Sequence, residues 1–398
     1  MLGQTNAKIV TGGNVEVVEN TSNEFFIRTS ENSRSNVYPN KVCWIDDKNF
    51  VFYIASYSGL KTVYTAKVKI NNGVVDYTQI SSIVKDIGAT YSSGDISFPL
   101  RADVSPDKTK VAIIHFGEGK ISIFPLINTN GEYSLGTPTT YDVAEFAYGY
   151  TIRWVSNDTF VIAQSSDTYK LYGYKIENDN LSLVATYTNT EVITGILTSG
   201  ETILATNSNS KTVWFLNNII DQNIIYTEVL SDTFDNLQQN YKTSFVIDNK
   251  FFLHTSNNSA RPFKIFTVEN NTISSLVFTS SVSVGTTIGS VRTYKKENNI
   301  IGLLLSGSLS GTSYIGISAI EIDFIGLTIK SSASVINNTT YSSLYGYGEL
   351  YIDFDTNIVY MMLQYQADYK TENFLYNIGA VPYIINYNGW QYAMVTKV

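Results

Sequence analysis

One short motif returns about seven times along the 398 residues of this chain, and it leaves few folds open. An apolar strand runs into a tight polar turn, and a second, longer apolar strand leaves it. The first copy is Cys43-Trp44-Ile45-Asp46-Asp47-Lys48-Asn49-Phe50-Val51. Further copies span 102–108, 154–161, 197–203, 245–251, 294–300 and 352–358, roughly 43–60 residues apart. After each turn the pattern continues alike. A β-rich second strand follows, as in Val111 to Phe116 or Phe160 to Gln164. After a polar loop, a third strand alternates, as in Lys61 to Ile70 or Lys170 to Ile176. A turn such as Asn178-Asp179-Asn180 or Asn270-Asn271 then opens a fourth strand.

Four short antiparallel strands cannot cover both faces of their own sheet. Packing such sheets side by side around an axis buries each against its neighbours. The expected fold is therefore all-β: a seven-bladed β-propeller of four-stranded antiparallel blades, spanning 38–398. No helical period separates the strands, which excludes a βαβ fold. A pair of stacked β-sandwiches is the rival, but sandwiches would not repeat one turn at this spacing. Residues 1–37 are left as a short N-terminal arm. The last copy owns a candidate fourth strand, Trp390 to Lys397, so Lys8 to Val18 and Phe25 to Arg28 are free to form a hairpin outside the ring. Alternatively, Phe25-Phe26-Ile27-Arg28 pairs with the last blade.

Composition narrows the partners. Charged residues are only 16% of the chain, and the net charge is −8. The surface must then be carried by Asn, Ser, Thr and Tyr. No basic cluster exceeds Lys295-Lys296, which argues against nucleic acid and against anionic lipid. No apolar run is long enough to span a bilayer, so no membrane insertion is expected. The N-terminus lacks the charged start and apolar stretch of a signal peptide. A lone cysteine, Cys43, excludes an internal disulfide framework.

Chain order also sorts the loops by face. First-to-second and third-to-fourth turns share one face of a propeller. Second-to-third loops and inter-blade connections share the other, called here the loop face. The turns are short and plain. The loop face is rich in Tyr, Ser, Gly and Asn, the residues that binding loops favour. Tyr91, Tyr148, Tyr150, Phe234, Tyr345, Tyr347, Tyr365 and Tyr369 form the candidate binding face. Aromatic rings stack on sugars or anchor protein contacts. A Tyr-rich chain also places Tyr there through blade packing alone.

Catalytic patterns are missing. The two histidines, His115 and His254, end second strands three blades apart and read as ordinary strand positions. One Cys and two His do not build a typical tetrahedral zinc site. Gly307-Ser308-Leu309-Ser310-Gly311 has Leu where a hydrolase nucleophile belongs. Asp353-Phe354-Asp355-Thr356-Asn357 has calcium-loop spacing, but Ile358 stands where glycine is needed, and the segment is the seventh blade turn. The sialidase Asp-box is absent. No enzymatic activity, metal or cofactor is expected.

The start Gly3-Gln4-Thr5-Asn6-Ala7-Lys8-Ile9-Val10-Thr11-Gly12-Gly13, followed by Tyr- and Asn-rich blades, resembles propeller proteins of bacteriophage tails and baseplates. The matching segment covers the first ~35 residues, and the rest resembles them in style. The resemblance implies a non-enzymatic virion component located in the particle. Its N-terminal arm would contact other virion proteins, and its blade face would meet a neighbouring subunit or a host cell-surface glycan. The alternative is a bacterial glycan-binding, lectin-like propeller.

Overall fold

The recurrent turn is closed by its own polar side chains. In the first copy, Asp46 Oδ1 accepts the backbone N–H groups of Lys48 and Asn49 at 2.8 and 2.7 Å. In the second, Ser105 Oγ donates to Asp107 and accepts the N–H of Lys110. Ser156 and Asp158 repeat this in the third, with Ser156 Oγ accepting the N–H of Thr159. Short polar side chains bond backbone groups two to five residues on, so these three turns form from local chemistry.

The computed structural model describes residues 17–18, 38–39 and most of 43–393. The larger stretches outside the described residues are 87–101, 231–244, 255–261, 280–286, 308–313, 338–347 and 366–376. Among the described residues, seven sheets follow one another along the chain. All seven predicted turns join the first strand of a sheet to its second. The first strands are Cys43–Trp44, Ala102–Val104, Gly149–Trp154, Gly195–Ser199, Phe245–Ile247, Thr287–Lys296 and Gly348–Asp353. Each pairs antiparallel with the strand after it. First strands of consecutive sheets approach one another from sheet one through sheet seven. This is the arrangement of a β-propeller, in which first strands line the axis and fourth strands the rim.

Sheets three to six have the plain four-strand order. In sheets three and five the third-to-fourth hairpins use the expected turn residues. Asn178 and Asp179 have φ of 49° and 60°, and Asn270 and Asn271 repeat those values. Both turns connect directly paired residues, Glu177 with Asn180 and Glu269 with Thr272. Positive φ at both central residues matches the twist of the flanking strands.

Three sheets depart from the pattern. In sheet one, Tyr38–Pro39 pairs with the second strand, Asn49–Ala55, in addition to Cys43–Trp44. In sheet two the fourth strand is split into Glu132–Leu135 and Thr139–Asp142, which pair with different parts of Lys120–Thr129. The break falls at Gly136, whose N–H reaches the carbonyl of Pro125 at 2.8 Å. A Cβ at Gly136 would lie 2.9 Å from the Pro125 ring, so the crossing requires glycine. In sheet seven the third strand is only Asn377–Gly379, paired with the far end of Ile358–Tyr365. Its near end is left open, and Trp390–Ala393 takes that edge in parallel. Backbone groups on an open edge need partners, and here a later segment supplies them. The predicted fourth strand therefore lies beside the second. Ile384–Tyr387 pairs outside it, and Val17–Val18 pairs with Ile384 and Ile385 at the rim. The N-terminal contact with the last sheet is thus made by Val17 and Val18. Phe25 to Arg28 lies outside the described residues.

The core lies between the sheets. Along each second strand, alternate residues face opposite neighbours, as the strand period of two requires. Val111 and Ile113 pack toward sheet one, while Ala112 and Ile114 pack toward sheet three. Val161 and Ala163 face sheet four, and Phe160 and Ile162 face sheet two. Both faces are covered, which explains why these strands read as unbroken apolar runs. Between sheets four and five, Phe215 meets the rings of Phe251 and Phe266 at 5.2 and 5.1 Å. Each such fully buried side chain contributes about 1.5–3 kcal/mol through burial.

Polar clasps cross the same junctions. Asn157 Oδ1 accepts the N–H of Asp107, and Ser199 Oγ donates to Asn249 Oδ1 at 2.7 Å. Near the rim, Lys264 of sheet five is ion-paired with Glu228 of sheet four and lies over the Phe266 ring.

Candidate functional site

Strand direction assigns the faces as the sequence order implies. First strands begin, and second strands end, on the loop face. Of the predicted binding residues, two lie in described strands. Tyr150 is the second residue of Gly149–Trp154, between Gly149, opposite Gln164, and Thr151, opposite Ala163. It is therefore the extra residue of a β-bulge. Bulges re-aim the chain at sheet ends and often sit beside functional sites. Tyr365 ends its second strand opposite Asn377. Both positions are at the loop-face end. Tyr91, Tyr148, Phe234, Tyr345, Tyr347 and Tyr369 lie outside the described residues.

A second group on this face escaped the sequence reading. His115 ends its strand as predicted, but it is part of a hydrogen-bonded chain. Its Nε2 and the Ser122 hydroxyl lie 2.7 Å apart, and its Nδ1 is 3.4 Å from Glu118 Oε2. Ser122 Oγ is also 2.8 Å from Thr140 Oγ1. Serine, histidine and carboxylate are connected in the order used by acyl-transfer enzymes. Accessibility decides what this arrangement does. Ser122 is 0% exposed and His115 only 1%, so no substrate carbonyl reaches the hydroxyl. The chain ties the second, third and fourth strands of blade two together and satisfies their buried polar groups.

Blades three and four meet in a different arrangement. Tyr169 precedes the third strand Lys170–Glu177, and Asn189 follows the fourth strand Asn180–Thr188. The N–H of Asn189 donates to the Tyr169 carbonyl at 2.6 Å, which holds the two residues side by side. Tyr169 is 41% exposed, whereas Asn189 is 9% exposed. The Tyr187 hydroxyl donates to Asn189 Oδ1 at 3.5 Å, and Asn189 Nδ2 has no partner. Burial pushes the Tyr187 phenol above its ordinary value, keeping it a neutral donor. Two residues on, Glu191 Oε2 accepts the hydroxyl of Ser210, from the second-to-third loop of blade four. Ser210 is held in turn by Asn207 Oδ1, which accepts its N–H at 3.0 Å, and by Thr212 Oγ1 at 2.8 Å. Glu191 and Asn189 sit in an unremarkable connector, Asn189-Thr190-Glu191-Val192, which carries no motif. Only the loop-face placement of inter-blade connections pointed toward them.

Nearer the axis, Asp103 and Trp154 join the first strands of blades two and three through two hydrogen bonds. Thr198 extends the contact by donating to the Trp154 carbonyl at 2.9 Å from blade four. Among the described residues, no group of three or more His, Cys, Asp or Glu side chains is arranged to hold a metal ion. No helix among them is long and apolar enough to cross a membrane.

No protein-family model matches the chain, and no curated protein matches it. Solved structures of similar shape exist at low identity. A protein from Lactobacillus plantarum has a TM-score of 0.49 at 10% identity, over 75% of this chain and 88% of that one. A Bacteroides fragilis protein provisionally described as a 6-phosphogluconolactonase has a TM-score of 0.49 at 11% identity, covering 88% of this chain and 95% of its own. The WD40 domain of SCAP from fission yeast gives 0.42 at 8% identity, with 87% and 95% covered. These are likenesses of shape, and no function is carried from them to this chain.

Proposed function

We propose that the protein is a non-enzymatic binding and assembly propeller, serving as a structural component of a bacteriophage tail or baseplate. One observation carries the non-catalytic part. Ser122 and His115 are both buried within blade two, so their hydrogen bond is spent on holding strands together. The viral setting rests on the N-terminal resemblance and on the low-charge, Tyr- and Asn-rich composition. In this reading the arm contacts other virion proteins. The loop face carries Tyr91, Tyr148, Tyr150, Phe234, Tyr345, Tyr347, Tyr365 and Tyr369 toward a neighbouring subunit or a host-surface glycan. The test is co-purification: the protein should band with intact phage particles and show no turnover on ester, lactone or glycoside substrates. Absence from purified particles contradicts the virion role. Turnover abolished by Ser122→Ala contradicts the non-enzymatic one.

A second reading, a bacterial glycan-binding propeller, is favoured by the exposed Tyr169 ring beside the pinned Asn189 and Glu191. It predicts that the isolated monomer binds cell-wall polysaccharide and that Tyr148→Ala or Tyr347→Ala abolishes this.

A further inference from the structure

We infer that Tyr169, Asn189 and Glu191 form a subsite for a neutral saccharide at the junction of blades three and four, on the loop face. The inference rests on the glycan-binding reading and names residues outside the face first expected from sequence. Three observations support it.

The first is a platform. Tyr169 leaves 41% of its surface to solvent just before a strand whose residues Leu171 to Tyr174 are buried. An exposed aromatic ring next to fixed polar groups suits the apolar face of a pyranose, which presents C–H groups on one side and hydroxyls at its edge. The second is a donor. Asn189 has one amide end engaged, with Oδ1 accepting from Tyr187, while Nδ2 is buried and unpartnered. A buried donor left without an acceptor is destabilising until one arrives. The backbone bond from Asn189 to Tyr169 sets the two residues side by side. The third is an acceptor. Glu191 has Oε2 occupied by Ser210, and Ser210 is anchored by Asn207 and Thr212. Oε1 remains to accept a hydroxyl. Both planar groups are therefore held at one atom, so little side-chain freedom is lost on binding.

The carboxylate also selects. Glu191 and the net charge of −8 repel phosphate- or uronate-bearing polymers, whereas a neutral hexose or hexosamine supplies the hydroxyl donors that Oε1 needs.

The experiment uses the full chain on an array of immobilised bacterial polysaccharides and their component oligosaccharides, neutral and anionic. Tyr169→Ala and Glu191→Gln are run in parallel, and each variant's melting temperature is measured. The expected result is binding to neutral glycans, weakened about tenfold or more by Tyr169→Ala and several-fold by Glu191→Gln, with melting unchanged. Equal binding by wild type and both variants overturns the subsite and leaves the glycan reading intact. Binding confined to anionic polymers overturns the proposed ligand class. Failure of the wild-type chain to bind any glycan overturns both the subsite and the glycan reading.

Discussion

Asp103 and Trp154 clasp each other across the junction of blades two and three. Asp103 Oδ2 accepts the Trp154 backbone N–H at 2.8 Å, and the indole N–H donates to the Asp103 carbonyl at 2.9 Å. Asp103→Ala leaves a buried N–H unpaired and should destabilise the fold by about 1–3 kcal/mol, measured by urea unfolding. Asp103→Asn keeps an accepting oxygen and should retain most of that stability.

The same residue sets a pH dependence. Asp103 retains some exposure, yet surrounding protein crowds it so closely that burial dominates and raises its carboxyl above the ordinary value. Arg153 and the N–H groups of Trp154 and Val104 pull it partly back. A raised folded value means that the folded state holds the proton more tightly than the unfolded chain does. This contribution to stability is present below the ordinary carboxylate value and is lost as pH rises through the folded one. Unfolding free energies of wild type and Asp103→Asn, compared from pH 3 upward, should shift in the variant's favour as pH rises. A constant difference would show that Asp103 ionises alike in both states.

Gly173 is required by what lies over it. A Cβ there would meet Ile219 Cγ1 at 2.8 Å and Cγ2 at 3.0 Å, and Ile219 is itself buried between blades three and four. Gly173→Ala should cost about 1–3 kcal/mol through overpacking, and in an Ile219→Ala background, which removes both clashing carbons, the same change should cost less. Thermal melts of the single and double variants check this. Full additivity would contradict the contact.

Ser122 offers a test of structural against catalytic chemistry. Ser122→Ala removes the group that links His115 to Thr140 and should lower stability by about 1–3 kcal/mol. Calorimetric melting reads that loss directly. A variant as stable as wild type would contradict the structural role.

The blade turns were legible because their chemistry is local. Asp46, Ser105 and Ser156 act on residues two to five positions away, so the sequence window contains the whole interaction. Second strands could be read because Val111 to Ile114 and Phe160 to Ala163 are buried on both faces and so are continuously apolar. The split strand at Gly136 was not legible, since its cause, Pro125, lies across the hairpin. The parallel pairing of Trp390–Ala393 with Ile358–Tyr360 depends on an edge left open elsewhere, which no local pattern encodes. At the site, the loop face followed from strand order, but Tyr169, Asn189 and Glu191 did not. Their relation comes from one cross-strand bond and one inter-blade bond. The Ser122–His115 contact was likewise hidden, because residues seven apart meet only once the hairpin's register is known.

The measurement that bears most directly on this account is a crosslink between consecutive blade turns. Ser199 and Asn249 lie in the turns of blades four and five, with side chains 2.7 Å apart. With Cys43→Ser as background, Ser199→Cys combined with Asn249→Cys should be joined within one chain by a short bismaleimide. Asp107→Cys combined with Asn249→Cys, from blades two and five, should not. Linking of the distant pair, or failure of the adjacent one, would contradict the sequential packing of blades that places the loops on a common face.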